Sequence, residues 1–125
     1  MKKSKILVVD DNTKILYSFR TFLEKEGYIN ISAEQGCAAL DLISTEKPSL
    51  VFLDISLPDI NGMDILRQIK QKIPSLPVII VSGHNSEENR NQARSLGASD
   101  FLEKPLSLTR IREILGKLEL DNTDS

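Results

Sequence analysis

The sequence predicts an α/β domain in which a parallel β-sheet is covered by helices on both faces. Two observations carry this: short apolar runs without polar alternation, and stretches of helical spacing between them. Ile6-Leu7-Val8-Val9, Leu50-Val51-Phe52-Leu53 and Val78-Ile79-Ile80-Val81 are continuous apolar runs, as strands buried on both faces of a parallel sheet should be. After the first run, Ile15, Phe19 and Phe22, with Leu23 beside them, recur at three- and four-residue steps and predict an amphipathic helix. Tyr28 to Ala33 reads as a strand nearer an edge, because Ile29, Ile31 and Ala33 alternate with polar residues. Cys37-Ala38-Ala39 belongs to a second helix, ahead of the Leu50 strand. Leu66, Ile69 and Ile73 mark a third helix before the Val78 strand. A fourth helix is expected near Ser86 to Leu96, a last strand at Asp100 to Glu103, and a last stripe at Leu108, Ile111, Leu115 and Leu118. The punctuation agrees: Gly27 and Gly97 stand where helices should stop, and Pro48 and Pro77 stand before strands. Strand and helix thus alternate five times, and right-handed crossovers lay helices over both faces of the sheet.

A length of 125 residues suits one domain with one core. Residues 1–120 are assigned to it, and 121–125 are expected to be a polar tail or the stub of a linker. The chain is 40% hydrophobic and 27% charged, a globular rather than a disordered composition. Sixteen basic and eighteen acidic residues leave a formal charge of -2, so no global positive field exists to hold nucleic acid. The single cysteine, Cys37, closes neither an internal disulfide nor a Cys-based metal cage. With no bilayer-length apolar run and no signal-peptide pattern at Met1 to Ser4, the expected location is the cytoplasm, away from any membrane.

The chemistry is expected beyond the carboxyl ends of the strands, where open α/β sheets place their ligands. Asp10 and Asp11 follow the first run, Asp54 follows Leu53, Ser82 follows Val81, and Lys104 follows Glu103. Taken singly, each has an ordinary reading as a cap, a turn residue or a surface lysine. Together they bring three carboxylates, a hydroxyl and an ammonium to one edge. Three close carboxylates require a positive partner, and an oxygen-only donor set suits a hard cation such as Mg²⁺ (or Mn²⁺). Such a cation, Lys104 and Ser82 around one carboxylate would make an electrostatic cradle for phosphoryl transfer onto it.

The ordered motifs Val8-Val9-Asp10-Asp11, Leu53-Asp54-Ile55-Ser56-Leu57-Pro58-Asp59-Ile60-Asn61-Gly62, Val81-Ser82-Gly83 and Phe101-Leu102-Glu103-Lys104-Pro105 resemble the receiver domain of bacterial two-component response regulators. The run from Ser82-Gly83-His84 through Leu96-Gly97-Ala98 to Lys104-Pro105 is most similar to receivers of the NtrC-like class. The resemblance implies a flavodoxin-like (βα)5 fold with strand order 2-1-3-4-5. It implies that Asp54 is the phospho-acceptor, and that Asp11, Asp54 and the backbone carbonyl of Ser56 ligate Mg²⁺, with Asp10 acting mainly through a metal-bound water. Lys104 and Ser82 would hold the phosphoryl group, and Phe101 would be the aromatic switch residue that follows Ser82. Such domains commonly have a cis bond before the proline matching Pro105. His84 and Ser56 would occupy rim positions that tune access of water to the acyl phosphate. The implied partner is a sensor histidine kinase or a histidine phosphotransfer protein. The implied activity is limited to the domain's own phosphorylation and dephosphorylation. The face of helix 4, strand 5 and helix 5, carrying Glu87, Glu88, Arg90, Arg94, Arg110, Arg112 and Glu113, would contact an output domain or a second copy.

Three other functions fit the sequence less well. A haloacid-dehalogenase-like phosphatase needs a second acid two residues after its nucleophile, where this chain has Ser56. A flavin carrier of similar topology would have to cradle phosphate with Asp10-Asp11-Asn12-Thr13-Lys14, a loop too acidic to do so without a metal. A pseudo-receiver would lack one of the key positions, and none is missing. Cys37 has no basic neighbour to activate it and reads as a packed or surface thiol.

Overall fold

The computed structural model describes residues 4–83 and 87–118. Its elements run in strict alternation: β1 Lys5–Val9, α1 Thr13–Lys25, β2 Ile29–Ala33, α2 Gly36–Glu46, β3 Leu50–Asp54, α3 Gly62–Lys72, β4 Val78–Ser82, α4 Glu87–Ser95, β5 Asp100–Glu103 and α5 Leu108–Lys117. All four strand pairings are parallel, in the order β2-β1-β3-β4-β5. This is the flavodoxin-like arrangement expected. The chain runs from β1 outward to β2, then returns past β1 to β3. With right-handed crossovers that reversal puts α1 and α5 on one face and α2, α3 and α4 on the other.

The apolar runs are continuous because each strand feeds two cores. Ile6 and Val8, Leu50 and Phe52, and Ile79 and Val81 face α1 and α5, where Leu16, Phe19, Phe22, Leu23, Ile111, Ile114 and Leu115 meet them. Leu7 and Val9, Val51 and Leu53, and Val78 and Ile80 face the other layer, with Ala39, Ile43, Met63, Ile65, Leu66, Ile69 and Ala93. Phe19 and Phe52 pack with ring centroids 4.8 Å apart across the first interface. β2 is an edge strand, and Ile29 on it is exposed while Ala33 is buried. Two helical stripes differ in detail from the sequence reading. In α1 Leu16 is buried and Ile15 only partly so. In α5 Ile114 is buried, whereas Leu108 is 49% exposed, because it opens the helix beside Pro105 and Leu106 instead of over the sheet.

Helix ends follow local chemistry. The Asn12 side chain accepts from the N–H groups of Lys14 and Ile15, Asn61 accepts from Met63, and Ser107 accepts from Arg110. Gly27 and Gly97, just past α1 and α4, have φ of 95° and 100°, a region that costs L-residues with side chains. Gly62 serves a different need. A Cβ there would stand 2.4 Å from Ile55 Cα and 2.6 Å from Asp54 O, both backbone atoms. The first turn of α3 therefore reaches the end of β3 only because residue 62 has no side chain.

This difference between glycines gives a test. Gly62→Ala should destabilise the domain by about 1–3 kcal/mol, since backbone must shift to admit the methyl group. Gly116→Ala, whose Cβ meets nothing within 4 Å inside α5, should instead stabilise it by about 0.5–1 kcal/mol. Urea denaturation of the two variants reads both signs.

Candidate functional site

The direction of chain progress reverses between β1 and β3, and the carboxylates stand at the carboxyl ends of those two neighbours. Asp54 is the last residue of β3, and Asp10 and Asp11 follow β1. Asp10 is 1% exposed and Asp54 3%, whereas Asp11 is exposed. One carboxylate oxygen from each of the three lies within 4.8 Å of the others. Lys104, just after β5, places its Nζ 3.1 Å from Asp10 Oδ2 and 3.5 Å from Asp54 Oδ2.

Local sequence orients both buried acids in the same way. Asp10 Oδ1 accepts from the N–H of Asn12 at 2.9 Å, and Asp54 Oδ1 accepts from the N–H of Ser56 at 3.1 Å. Each is a side chain turning back on the backbone two residues ahead, a contact that aspartate favours at the exit of a strand. The remaining oxygen of each acid is left for Lys104.

Burial raises the Asp54 pKa above the usual carboxylate range, and the Asp10 charge pushes the same way; together these outweigh the Ser56 N–H and Lys104. For Lys104, burial alone would lower the pKa, but the hydrogen bond to Asp10 and the charges of Asp54 and Asp10 leave it raised. Three carboxylates against one ammonium leave a formal excess of two negative charges, the amount a divalent cation neutralises.

The other expected residues fall as follows. Ser82 ends β4, is 1% exposed, and accepts the Lys104 N–H at its backbone carbonyl at 2.8 Å. Ser56 is exposed on the loop after β3. Phe101 is half-buried in β5 against the α2–α4 core, with the Arg90 guanidinium 5.4 Å from its ring centroid. Arg90 also pairs with Glu103. Asp100 pairs with Arg110 at 2.9 Å and Lys117 at 3.8 Å. Arg112 departs from the expected α4–β5–α5 face: it pairs with Glu26 and lies over Phe22, both toward α1. The reason is helical phase, since Arg112 follows the buried Ile111 by one residue, on the α1 side. The Lys104–Pro105 bond is cis. His84, Ser86 and the tail 121–125 lie outside the described residues.

Sequence reasoning missed Asp59. Its Oδ1 accepts from the N–H of Gly36 at 2.8 Å and its Oδ2 from that of Cys37 at 3.0 Å. These two bonds lower its pKa to about 2. No local signal announced this, because the partners stand 23 and 22 residues away. Cys37 is exposed, and its hydrogen bond to Asp59 raises the thiol pKa, the reverse of an activated cysteine.

A family model described as "Response regulator receiver domain" matches residues 6–116. The chain belongs to that family. Receivers of this family are signalling domains of two-component response regulators. The chain is 33% identical to sporulation initiation phosphotransferase F of Bacillus subtilis over 117 residues, covering 94% of each. It is 35% identical over 120 residues to the alkaline phosphatase synthesis transcriptional regulatory protein PhoP of Bacillus subtilis, covering 93% of this chain and 50% of that one. It thus spans about half the length of several curated relatives it matches, PhoP and the MprA regulators among them. Among solved structures, a CheY-like receiver from Methanospirillum hungatei superposes with a TM-score of 0.89 at 32% identity, covering 94% of both chains. The receiver domain of NtrX from Brucella abortus superposes at 0.86 and 38% identity, covering 93% of this chain and 99% of that one. The likeness to NtrX agrees with the NtrC-like resemblance read from the sequence.

The electrostatics of the acidic cluster give tests of whether it holds a metal. Since the folded Asp54 pKa is raised, the stabilisation from its neutral form is complete below the unfolded carboxylate range and is lost as pH rises through the raised value. At neutral pH the ionised group therefore costs stability when no metal is bound. Asp54→Asn should raise the melting temperature of the metal-free receiver at pH 7, with the gain shrinking as pH falls through the raised Asp54 pKa and gone below about 4. Millimolar Mg²⁺ should raise the melting temperature of the native chain, and Asp11→Asn should blunt that rise. An identical response to Mg²⁺ in both would remove Asp11 from the ligand set.

Proposed function

We propose that this receiver is a phosphorylation-driven switch that accepts a phosphoryl group on Asp54. The observation that supports it most is the pairing of a buried carboxylate at the end of β3 with two further carboxylates and one shared ammonium. The donor set is all oxygen and carries two uncompensated negative charges, which fits Mg²⁺ or Mn²⁺. Asp11, Asp54 and the Ser56 carbonyl would hold the ion, with Asp10 acting through a bound water. When bound, the ion supplies charge neutralisation for the transferring phosphoryl oxygens.

The remaining chemistry belongs to the chain. An Asp54 carboxylate oxygen attacks phosphorus as the bond to the donor breaks, releasing either the phosphohistidine ring of a histidine kinase or phosphotransfer protein, protonated on its other nitrogen, as neutral imidazole, or acetate from acetyl phosphate. Lys104 stays protonated and moves from pairing carboxylates to pairing phosphoryl oxygens, and the Ser82 hydroxyl donates to one of them. An apolar groove lined by Ile15, Tyr17, Phe22, Pro105, Leu106 and Leu108 runs beside Lys104, with Tyr17 70% exposed. It offers a protein donor a surface next to the acceptor. Hydrolysis of the acyl phosphate by water returns the switch, with Ser56 at the rim, so catalysis is confined to the domain's own modification.

The output follows from Ser82. Its movement toward the phosphoryl group vacates space that Phe101 can enter, altering the α4–β5–α5 face. That face then engages an output domain or a second copy of the receiver. The domain is taken as residues 1–120 with 121–125 as tail or linker, working in the cytoplasm without touching nucleic acid itself. No described helix is long and apolar enough to cross a membrane.

Two measurements test this. Intact-mass analysis after acetyl phosphate and Mg²⁺ should show one phosphoryl gain, absent in Asp54→Ala; an equal gain in that variant would sink the assignment. In sedimentation velocity, beryllofluoride with Mg²⁺ should shift the monomer toward dimer, and Phe101→Ala should weaken the shift while Asp54 remains modifiable. An unchanged monomer at high concentration would refute the dimer and leave a different partner for this face.

A further inference from the structure

We propose that Asp59 is a positioning residue for phosphoryl transfer at Asp54, fixing the loop that carries Ser56 by docking it on the start of α2. The inference rests on the phospho-acceptor reading above. α2 begins at Gly36 without a cap of its own, since the Gln35 side chain makes no capping hydrogen bond. Helix starts are ordinarily capped by the residue just before them. Here the acceptor comes from the loop after β3, and both Asp59 oxygens are used, one on each of the first two N–H groups of the helix.

The close approach is built into both partners. A Cβ on Gly36 would lie 2.5 Å from Ile65 Cδ1, the movable end of a side chain, and 3.2 Å from Ile60 Cβ, close enough that the loop carrying Ile60 would have to give way slightly. Asp59 carries its full charge near neutral pH, at the positive end of the helix.

What the contact holds is the stretch between two anchors. At its base the loop is closed by Gly62 N–H donating to Ile55 O at 3.0 Å, with Ile55 N–H donating to Val81 O at 3.3 Å. At its far side it is closed by Asp59. Only Ser56, Leu57 and Pro58 lie between Ile55 and Asp59. Ser56 and Pro58 are exposed and Leu57 is only partly buried against the core, so the anchors at Ile55 and Asp59 carry much of the hold on the Ser56 backbone. That backbone directs its N–H at Asp54 Oδ1 and carries the carbonyl assigned to the metal. Releasing Asp59 leaves the acids in place and frees the one ligand that is not a side chain.

The alternative is that Asp59 only caps α2, and a transplanted cap separates the two. Asp59→Ala should lower the melting temperature, weaken the Mg²⁺-induced rise in melting temperature, and increase the Mg²⁺ needed for half-maximal acetyl phosphate labelling by about tenfold. Gln35→Asp on that background supplies a local cap to α2. It should restore the metal-free melting temperature but neither Mg²⁺ response. Asp59→Asn keeps one acceptor oxygen of two and should fall between the native chain and Asp59→Ala, which also serves if the alanine variant folds poorly. Recovery of both Mg²⁺ responses by Gln35→Asp, or native Mg²⁺ responses in Asp59→Asn and Asp59→Ala, would overturn the proposal. A native chain that takes no phosphoryl group at Asp54 would instead overturn the phospho-acceptor reading, and this inference with it.

Discussion

Two nearly buried carboxylates, Asp10 and Asp54, share a single ammonium, and much of the architecture serves to make that unfavourable grouping possible. Like charges at this separation repel by several kcal/mol at protein dielectrics, and burial removes the water that would screen them. The sheet supplies the counterforce. Asp10 and Asp54 are continuous with β1 and β3, whose apolar residues are buried on both faces, so neither acid can retreat to solvent without disturbing the centre of the domain. Lys104 arrives from the opposite end of the connectivity, and only the parallel order β1-β3-β4-β5 brings it over the same edge. The residual negative charge is a consequence of this geometry, and it favours a hard divalent cation at a site built of ordinary residues.

Most of the fold was legible because parallel strands with two covered faces leave an unusual trace. Val8 and Val9 point to different cores, yet both are apolar, and that run cannot be mistaken for an exposed strand. The acids and Lys104 were legible for a related reason: each ends a strand or follows one by at most two residues, so topology alone carries them to one edge. α4 was a weaker case. Only Ala93 is buried in it, so no stripe marked it, and its existence followed from the need for a crossover between β4 and β5.

What sequence could not show were contacts whose partners are close only in space. Asp59 sits among Pro58, Ile60 and Asn61 with nothing nearby to suggest a helix start 23 residues earlier. Arg112 reads as part of a charged outer face until helical phase turns it toward Glu26 and Phe22. Leu108 continues the apolar spacing of α5, but the helix starts too far from the sheet for it to be covered. In each case the local pattern was correct and the three-dimensional neighbour decided the outcome.

The two sides of the site differ in stiffness, and this bears on where a signal can go. On the α2–α3 side, Gly62 admits a backbone approach that no side chain would permit, and the loop after β3 is pinned by the Gly62 N–H on Ile55 O and the Gly36 and Cys37 N–H groups on the Asp59 carboxylate. Displacing it means breaking charge-assisted hydrogen bonds or moving backbone. On the β4–β5 side the links are of another kind. Ser82 and Lys104 are joined through their backbones, but beyond them Arg90, Glu103, Arg110 and Asp100 meet as half-exposed ion pairs, which contribute about 0–1 kcal/mol each. Phe101 stands among them, half-buried and covered by one guanidinium. A rearrangement at Asp54 of the kind proposed would meet more resistance on the first side than on the second, and this difference would direct it toward α4 and β5.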